Sequence, residues 1–283
     1  MDEFSLQLAN MLVGNDHGDA CLEMTLIGSE LEALHDVQIA VAGDISLQIN
    51  GQDSDMWQTI NLMTGDLVSF GKVRTGCRAY LAVRGGIDVP IILGSRSTHV
   101  RGEIGGMQGR QLKVGDHVEG FDAVQPIDRC LVLPQEFIPT FRRETEVGVV
   151  LGPQLDSFTE KGLETFLSNL YVVTVEADRM GYRLEGPQIE YNEHVNTISD
   201  AILPGSVQIP ANGKPIVTMQ DAQTTGGYPK IAVVMSTDLH VLGQMKPSDK
   251  ISFYEAALST AHRKLLGYRK KIGVIESKLY GRF

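Results

Sequence analysis

Residues 37–51, VQIAVAGDISLQING, contain two short apolar segments followed by a turn. The segments at 37–41 and 45–49 are rich in Val and Ile, whose branched side chains favour the pleated surface of a β-sheet. Asn50-Gly51 comes next and is typical of a two-residue β-hairpin, because both residues accept positive φ angles. The stretch therefore predicts two β-strands that lead into a hairpin.

Short segments of the same kind extend on both sides of this stretch. They occupy residues 21–27, 67–70 and 80–83. Gly and Asp separate them, and such closely spaced short strands are typical of a β-sandwich or barrel rather than of alternating strands and helices. The strand-like part of the sequence therefore indicates a β architecture.

Three segments show the apolar spacing of an α-helix instead. The first covers residues 4–12. The second is predicted to begin at Asp156 or Ser157 and to place Phe166 on its inner face, and the third extends from about residue 255 to residue 268. Together with the strands, these segments predict a mainly β protein with a few helices, of the α+β class.

A loop-like segment at residues 120–145 divides the sequence. It contains three prolines and a charged run at its end, which is typical of a junction between domains. We therefore predict an N-terminal β module at residues 1–140 and a C-terminal β module at residues 141–283.

A local pattern, in which a turn ends in Asp and a strand follows, recurs in both predicted modules. It occurs at residues 62–70, 112–118 and 244–253. Either the turn is simply a common one, or the chain contains two related β modules; the pattern alone leaves both alternatives open.

The composition excludes several classes of protein. The 283 residues include 25 Lys and Arg against 35 Asp and Glu, a net charge of −10, which disfavours a general nucleic-acid binder because such proteins neutralise phosphates with basic surfaces. No apolar run approaches the roughly 20 residues of a membrane helix, and the acidic start shows no signal peptide. We predict a cytoplasmic protein without a nucleic-acid or membrane partner. The three Cys and seven His residues are scattered, so no protein-bound metal is expected.

Four segments are unusually rich in Gly, Arg, Gln, Ser and Thr. They lie at residues 84–98, 178–187, 204–210 and 220–230. Glycines allow the backbone to approach a ligand, hydroxyl groups donate hydrogen bonds, and the planar guanidinium of Arg matches a carboxylate or phosphate. No phosphate-binding loop and no GxSxG motif is present. The residue chemistry therefore predicts a polar cleft for an anionic or amide-bearing ligand and does not specify a reaction.

The same segments resemble the allophanate hydrolase subunit 2 family. This is the biotin-dependent carboxyltransferase family, which includes the C component of the bacterial ATP-dependent 5-oxoprolinase and the KipA protein. The similarity extends from residues 1–15 through 105–110 and 152–154 to 249–253, and its most specific parts are residues 94–98 and 221–230. The resemblance therefore covers nearly the whole chain.

The sequence differs from the family in two places. Family members carry a strand and a Gln-Asp-x-Gly-Arg segment ahead of the Met-Asp with which this sequence begins, so either the start is misassigned or the first strand is missing. If the strand is missing, one sheet would have an unpaired edge and the site would lack an Arg. Pro247-Ser248-Asp249 stands where the family has Pro-Gly-Asp. Since Ser is compatible with a type I turn, this change is predicted to cost little.

The resemblance implies a fold, partners and an activity. The fold would consist of two β-barrel-like modules similar to cyclophilin. The chain would be the C component of a 5-oxoprolinase, working with a homologous, KipI-like B component and an A component. The complex would hydrolyse a small amide, 5-oxoproline, to glutamate with ATP. ATP would then be used through the complex, and the chain would be inactive alone.

Two alternative functions remain open under the same resemblance. In the first, the chain is a carboxyltransferase component that acts on urea or a related amide with carboxybiotin carried by another protein. In the second, it is a KipA-like regulatory protein that binds an inhibitor of a histidine kinase. Turnover would separate the enzymatic alternatives from the regulatory one.

The resemblance also directs attention to particular side chains. Arg96 or Arg183 would hold an anionic oxygen or a phosphoryl group, because charge develops on oxygen in the transition state. Asp221 or Lys230 would move a proton. The other candidates would bind the substrate: Ser95, Ser97, Thr98, Gln154, Gln208, Thr224, Thr225, Gly226, Gly227 and Tyr228.

Several candidates have a purely structural alternative. Each arginine could form an ion pair that only fixes its loop or strand. The partners would be Asp88 or Glu103 for Arg96, and Glu185 or Asp178 for Arg183. Gly226-Gly227 could be a hairpin turn, and Tyr228 could pack against the protein instead of stacking on biotin or adenine.

Overall fold

The computed structural model describes residues 1–121, 127–192 and 199–281. Most regular structure in this part of the chain is β-strand, and four α-helices are present in it. The prediction of a mainly β protein with a few helices is therefore confirmed. The chain folds as two compact units, which we name by their main sheets: the sheet unit (Glu3–Thr140 with Gly273–Phe283) and the barrel unit (Met1–Asp2 with Phe141–Ile272).

The sheet unit begins with helix α1 (Glu3–Leu12), whose apolar residues recur with helical spacing and are buried. Six antiparallel strands follow, in the spatial order β1-β6-β3-β4, with β2 also on β6 and β5 also on β3. They are β1 (Leu22–Thr25), β2 (Glu30–Glu32), β3 (Val37–Ile49), β4 (Gln52–Asp53), β5 (Thr59–Leu62) and β6 (Leu67–Val83).

The two strands predicted at residues 37–41 and 45–49 form one continuous strand, β3. Gly43, with φ of +141°, lies where the pairing with β6 changes register. A β-bulge at this point bends the strand without ending it, because only the local pairing is lost. The predicted hairpin is confirmed: Asn50 and Gly51 have φ of +52° and +77°, and Ile49 pairs with Gln52.

The barrel unit is built on a closed barrel of seven strands in the order β11-β12-β9-β8-β15-β7-β14, and β14 pairs with β11 to close it. All neighbours are antiparallel except β7 and β15. The barrel strands are β7 (Glu144–Leu151), β8 (Tyr171–Val173), β9 (Gly181–Glu185), β11 (Ser206–Gln208), β12 (Ile216–Thr218), β14 (Lys230–Val234) and β15 (Lys250–Glu255). Strands β10 (Asp200–Ala201) and β13 (Thr225–Gly226) pair with each other outside the barrel, and we call this pair the flap.

Helix α2 (Glu160–Ser168) packs against the barrel through Phe166, which is fully buried and stacks on Phe253 with ring centroids 4.6 Å apart. Its N-cap is Thr159, whose hydroxyl accepts a hydrogen bond from the Gly162 amide. The predicted start at Asp156 or Ser157 is wrong, because these residues belong to a separate 3₁₀ turn at Leu155–Ser157.

The last two helices are α3 (Leu239–Leu242) and α4 (Leu258–Tyr280). The sequence predicted that the final helix ends near residue 268, yet α4 continues for three more turns. Ile272, Ile275 and Leu279 recur with helical spacing and are at most 7% exposed, so burial of this face extends the helix. Within the described residues, no helix is long and apolar enough to cross a membrane.

The recurring turns at residues 63–66, 113–116 and 246–249 share one geometry. In each, the Asp carboxylate accepts a hydrogen bond from the backbone N–H three residues earlier, at 2.7, 2.7 and 3.1 Å. The residue before each Asp has a positive φ: Gly65 at +90°, Gly115 at +87° and Ser248 at +77°. The type I turn predicted for Pro247-Ser248 is therefore wrong, since a positive φ at this position defines a type II turn.

We predict that Ser248→Gly increases the free energy of unfolding by about 0.5–1 kcal/mol. A side chain in the left-handed region costs roughly 1–2 kcal/mol, and the greater freedom of glycine in the unfolded chain offsets part of this gain. Ser248 is exposed, so no packing is lost. Thermal and urea unfolding would measure the change. Gly115→Ser, at the equivalent turn, should shift stability in the opposite direction, and an unchanged or less stable Ser248→Gly variant would contradict this account.

Candidate functional site

Lys230 begins strand β14 and is only 5% exposed, although it carries a charge. Its Nζ donates hydrogen bonds to Asp200 Oδ2 at 2.5 Å and to the Ala201 carbonyl at 2.7 Å. Both acceptors lie on the flap strand β10. The Lys230 hydrogen bond, with the Ala201 backbone N–H, holds the pKa of Asp200 below its usual range. A buried cation is thus neutralised by a carboxylate from a small peripheral strand.

Gln208 ends strand β11 and pairs with Lys230 on the neighbouring strand β14, next to a register shift at Val207. Its side chain is 2% exposed, and its Nε2 has no hydrogen-bond partner among the residues that the structure describes. A buried donor without an acceptor costs about 1–3 kcal/mol. Such a group is an expected feature of a site whose partner is a ligand oxygen.

Gly226 of the flap makes the burial of Gln208 possible. A Cβ at residue 226 would lie 2.9 Å from Gln208 Nε2 and 2.3 Å from Ile202 Cδ1, both closer than side chains tolerate. The flap therefore lies directly against the amide of Gln208. Any ligand that reaches this amide must move the flap or enter beside it.

Gln154 joins the same group from the loop after β7. Its Oε1 accepts a hydrogen bond from the backbone N–H of Lys230 at 2.8 Å, which leaves its NH₂ group facing away from that bond. Gly152, directly after β7, allows the chain to lie close to β14, because a Cβ there would lie 2.5 Å from the Lys230 carbonyl oxygen. We call Gln154, Asp200, Gln208 and Lys230 the Lys230 cluster.

The Thr224–Tyr228 candidates lie on flap strand β13 or directly beside it. Ala201 pairs with Thr225 and Asp200 with Gly226, while the Thr224 carbonyl accepts from Ile202 N at 2.9 Å. The hairpin alternative for Gly226-Gly227 is wrong. Gly226 lies in strand β13, whose partner β10 is separated from it in the sequence by β11 and β12. Three neighbouring candidates are exposed to solvent: Thr224, Thr225 and Gly227. Tyr228 is 48% exposed, so its ring is not part of the packed core.

Asp221 and Arg183 are each held by another partner. Arg179 binds Asp221 through two hydrogen bonds, Nε to Oδ2 at 3.0 Å and Nη2 to Oδ1 at 3.1 Å. Arg183 lies on the outer side of β9, between the buried Tyr182 and Leu184, and its Nε is 3.1 Å from Glu176 Oε2. Within the described residues, the structure records no hydrogen bond from either side chain to the Lys230 cluster.

The partners expected for Arg183 as a structural residue are also different. Its carboxylate is supplied by Glu176, whereas Glu185 binds Lys214 and Asp178 accepts from the Met180 N–H. The expected ion pairs with Glu185 or Asp178 are therefore wrong. Arg183 does form an exposed ion pair, but with Glu176 instead of the two predicted carboxylates.

The remaining candidates lie in one loop of the sheet unit. Arg96 donates from Nη1 to the Val89 carbonyl, and its guanidinium carbon is 4.7 Å from the centre of the Phe121 ring. These contacts replace the expected pairing with Asp88 or Glu103. Arg96 is thus fixed by a carbonyl and an aromatic face, and its guanidinium forms no ion pair with a carboxylate in the part of the chain that the structure describes.

Ser95, Ser97 and Thr98 shape this loop through local bonds. Ser95 Oγ accepts from Ser97 N at 3.1 Å, and both serines are exposed. Thr98 packs tightly on Gly106, where a Cβ would lie 1.8 Å from Thr98 Oγ1. The loop therefore has an exposed serine on each side of Arg96 in the sequence.

The sequence does not predict Asp200 of the Lys230 cluster, nor Arg179, which binds the candidate Asp221. Asp200 has no motif around it, and its contact with Lys230 depends on the pairing of two-residue strands that are distant in sequence. Arg179 lay inside a candidate segment, and its neighbour Arg183 was selected instead. Among the residues of the three described ranges, no three His, Cys, Asp or Glu side chains lie close enough to hold a metal ion.

Comparison with known proteins places this architecture. A family model described as the carboxyltransferase domain, subdomain A and B, matches residues 1–255. The chain belongs to this carboxyltransferase domain family. The resemblance to biotin-dependent carboxyltransferases that the sequence predicted is thereby confirmed, and the match includes the Lys230 cluster and the Arg96 loop.

Relatives of this carboxyltransferase domain include separate subunits and parts of larger enzymes. The C component of the 5-oxoprolinase of Escherichia coli is 34% identical over 92% of this chain and 83% of its own length. Urea amidolyase of Saccharomyces cerevisiae is also 34% identical, but the match covers only 15% of it. The crystal structure of Kluyveromyces lactis urea carboxylase superposes with a TM-score of 0.91 at 32% identity, over 97% of this chain and 26% of that one.

Proposed function

We propose that this carboxyltransferase domain is the C component of an ATP-dependent 5-oxoprolinase complex, which opens 5-oxoproline to glutamate together with its A and B components. The observation that carries the proposal is the buried Nε2 of Gln208, which has no hydrogen-bond partner among the described residues and belongs to a residue that pairs with Lys230 on the adjacent strand. Both side chains carry donors suited to an amide oxygen. The similarity to the E. coli C component, 34% identity over 83% of its length, supports the proposal.

The reaction requires stabilisation of charge on an amide oxygen. Water adds to the lactam carbonyl, the C–N bond breaks, and the ring nitrogen takes a proton and becomes the amine of glutamate. A second water cleaves ATP to ADP and phosphate. Because the attacked carbonyl oxygen becomes anionic, a donor fixed in a dry site lowers the barrier, and each such donor contributes about 10²–10³-fold in rate. Gln208 supplies this donor in our proposal.

A second candidate function is carboxyl transfer from carboxybiotin to urea or a related amide. The TM-score of 0.91 to urea carboxylase supports it. In this reaction a nitrogen of urea attacks the carboxyl carbon of carboxybiotin. The bond between that carbon and the biotin nitrogen breaks, and biotin takes up the proton that the urea nitrogen loses. The same donors of Gln208 and Gln154 would hold the urea oxygen. Biotin would arrive on another protein.

Reconstitution tests the proposal. Phosphate release would be measured with this chain, its homologous B component and an A component, with 5-oxoproline present or absent and each protein omitted in turn. We expect release that depends on 5-oxoproline and on all three proteins, and none from this chain alone. If the proteins assemble but 5-oxoproline gives no release, carboxyl transfer to urea with carboxybiotin is tested next, and failure of both reactions favours a regulatory role.

Arg96→Ala is expected to abolish turnover while the complex still forms. The guanidinium lies over Phe121 and forms no ion pair with a carboxylate among the described residues, so its removal eliminates a group that could bind an anion. Arg110→Ala is the matched control, because Arg110 binds Asp116 within the same loop region and belongs to none of the candidates. Size-exclusion chromatography would monitor assembly. An unchanged rate for Arg96→Ala, or an equal loss for Arg110→Ala, would contradict a direct role.

A further inference from the structure

We propose that Lys230 binds the carboxylate of the substrate, and that Asp200 occupies the position of that carboxylate on Lys230 until substrate arrives. The inference rests on the proposed function and deepens it. It assigns the site to amides that carry a carboxylate of their own, and thereby excludes urea as the preferred substrate. Its basis is the asymmetry of one ion pair, the small flap that supplies the anion, and the adjacent amide of Gln208.

The two partners of the ion pair differ sharply in exposure. The side chain of Lys230 is 6% exposed, whereas that of Asp200 is 53% exposed. Asp200 can leave the pair and be solvated at little cost, as for other surface carboxylates. Lys230 cannot, because a buried charge without a partner is strongly unfavourable. Departure of Asp200 therefore creates a position that only another anion can fill well.

The flap that carries Asp200 is built to move more easily than the barrel. β10 and β13 contribute two residues each and lie outside the closed barrel. A two-stranded pair of this length has little stability of its own, so local opening costs far less than global unfolding. By contrast, Lys230 belongs to a barrel strand paired on both sides. The anion is thus on the mobile side and the cation on the fixed side.

The neighbouring donor identifies the second group that the ligand presents. Gln208 and Lys230 are paired residues on adjacent strands, with Cα atoms about 5 Å apart in such a pair. 5-Oxoproline carries its carboxylate and its carbonyl on the two ring carbons that flank the nitrogen. One molecule can therefore place a carboxylate on Lys230 and a carbonyl oxygen on Gln208 Nε2. Urea has the carbonyl and lacks the anion.

Binding to the assembled complex without ATP tests the inference. Calorimetric titration would compare 5-oxoproline, 2-pyrrolidinone, which is the same lactam without the carboxylate, and urea. We expect 5-oxoproline to bind at least about tenfold more tightly than 2-pyrrolidinone, the equivalent of one charge-assisted hydrogen bond. Equal binding of the two lactams, or no binding of 5-oxoproline, would overturn the proposal.

Variants of the ion pair make the test specific. Lys230→Gln should remove the preference for 5-oxoproline over 2-pyrrolidinone. Asp200→Asn should tighten binding of 5-oxoproline by about threefold, because the competing internal carboxylate is gone and such exposed pairs contribute modestly. Lys214→Gln is the matched control, since it removes an ion pair with Glu185 elsewhere on the barrel unit and should change neither affinity. Thermal unfolding of each variant would show that it folds.

The outcomes separate this inference from the proposed function. Lys230-dependent binding of 5-oxoproline without ATP-dependent turnover would reject the 5-oxoprolinase function and leave carboxylate recognition standing. Turnover of 5-oxoproline by Lys230→Gln with the wild-type KM would support the function and reject the role of Lys230. If Lys230 has only a structural role, Lys230→Gln should not weaken 5-oxoproline selectively relative to 2-pyrrolidinone.

Discussion

Replacing Gln208 with Leu is expected to make the chain more stable and to reduce turnover of the reconstituted complex by about 10²–10³-fold. Leu has a similar shape and removes a buried NH₂ group that has no acceptor among the described residues. The free energy of unfolding should therefore rise by about 1 kcal/mol. The same change removes the donor that we assign to the amide oxygen. Opposite signs for stability and activity are typical of a group retained for function.

Urea denaturation and 5-oxoproline-dependent phosphate release would measure the two effects on the same preparations. Gln154→Leu is the matched control, because its Oε1 accepts a bond from the backbone of Lys230. That variant should lose stability as well as activity. If Gln208→Leu is less stable than the wild-type chain, the Nε2 of Gln208 is hydrogen-bonded to ordered water in the wild-type protein and is not an unpaired donor. If activity is unchanged, Gln208 lies outside the site.

Phe166→Ala is expected to lower the free energy of unfolding of the barrel unit by about 3–5 kcal/mol. Phe166 is 0% exposed and connects α2 to the barrel by stacking on Phe253, with Tyr171 as a further neighbour at 6.4 Å between centroids. Truncation removes the apolar contacts and leaves a cavity that rigid barrel strands cannot fill. A loss of this size approaches the whole stability of many domains.

Near-ultraviolet circular dichroism would follow this unfolding, because Tyr171 and Tyr182 are buried in the barrel unit. Phe166→Leu keeps most of the apolar volume and should cost clearly less than the Ala variant. Leu163→Ala, on the same helix and only half-buried, should cost less as well. A loss below about 1 kcal/mol for Phe166→Ala would show that α2 contributes little to barrel stability.

The strands and the recurring turns were predictable because their signals are local. Alternating apolar residues, the Asn50-Gly51 hairpin and the Asp at the end of each turn act within a few residues of one another. The type of turn at Ser248 was predicted wrongly, because the sequence does not show the hydrogen bond from the Ser248 N–H to the distant Val173 carbonyl, at 2.9 Å, that accompanies its positive φ. Helix α4 was longer than predicted because burial of Ile275 and Leu279 depends on the packed fold.

The candidate site was only partly predictable for the same reason. The sequence predicts Gln154, Gln208 and Lys230 as site residues, and the structure brings them together through the pairing of β11 and β14 and the Gln154–Lys230 hydrogen bond. Their anionic partner, Asp200, arrives through two-residue strands that have no periodicity to detect. Their catalytic and binding roles, and those of Arg96, Arg183 and Asp221, remain predictions for the experiments above.

Each unit contains two segments that are distant in the sequence, so the order of synthesis determines when each unit can finish folding. The barrel unit uses Met1–Asp2, made before the sheet unit, and the Asp2 carboxylate accepts a hydrogen bond from Gln244 at 2.7 Å. The sheet unit includes residues that are synthesised after the barrel. The Leu279 carbonyl accepts a hydrogen bond from the Arg129 side chain, and the Tyr280 hydroxyl donates one to the Met11 carbonyl. A nascent chain on the ribosome therefore holds both units incomplete until helix α4 has emerged. Chaperone dependence should be greatest in this interval, while both apolar cores await their last segments.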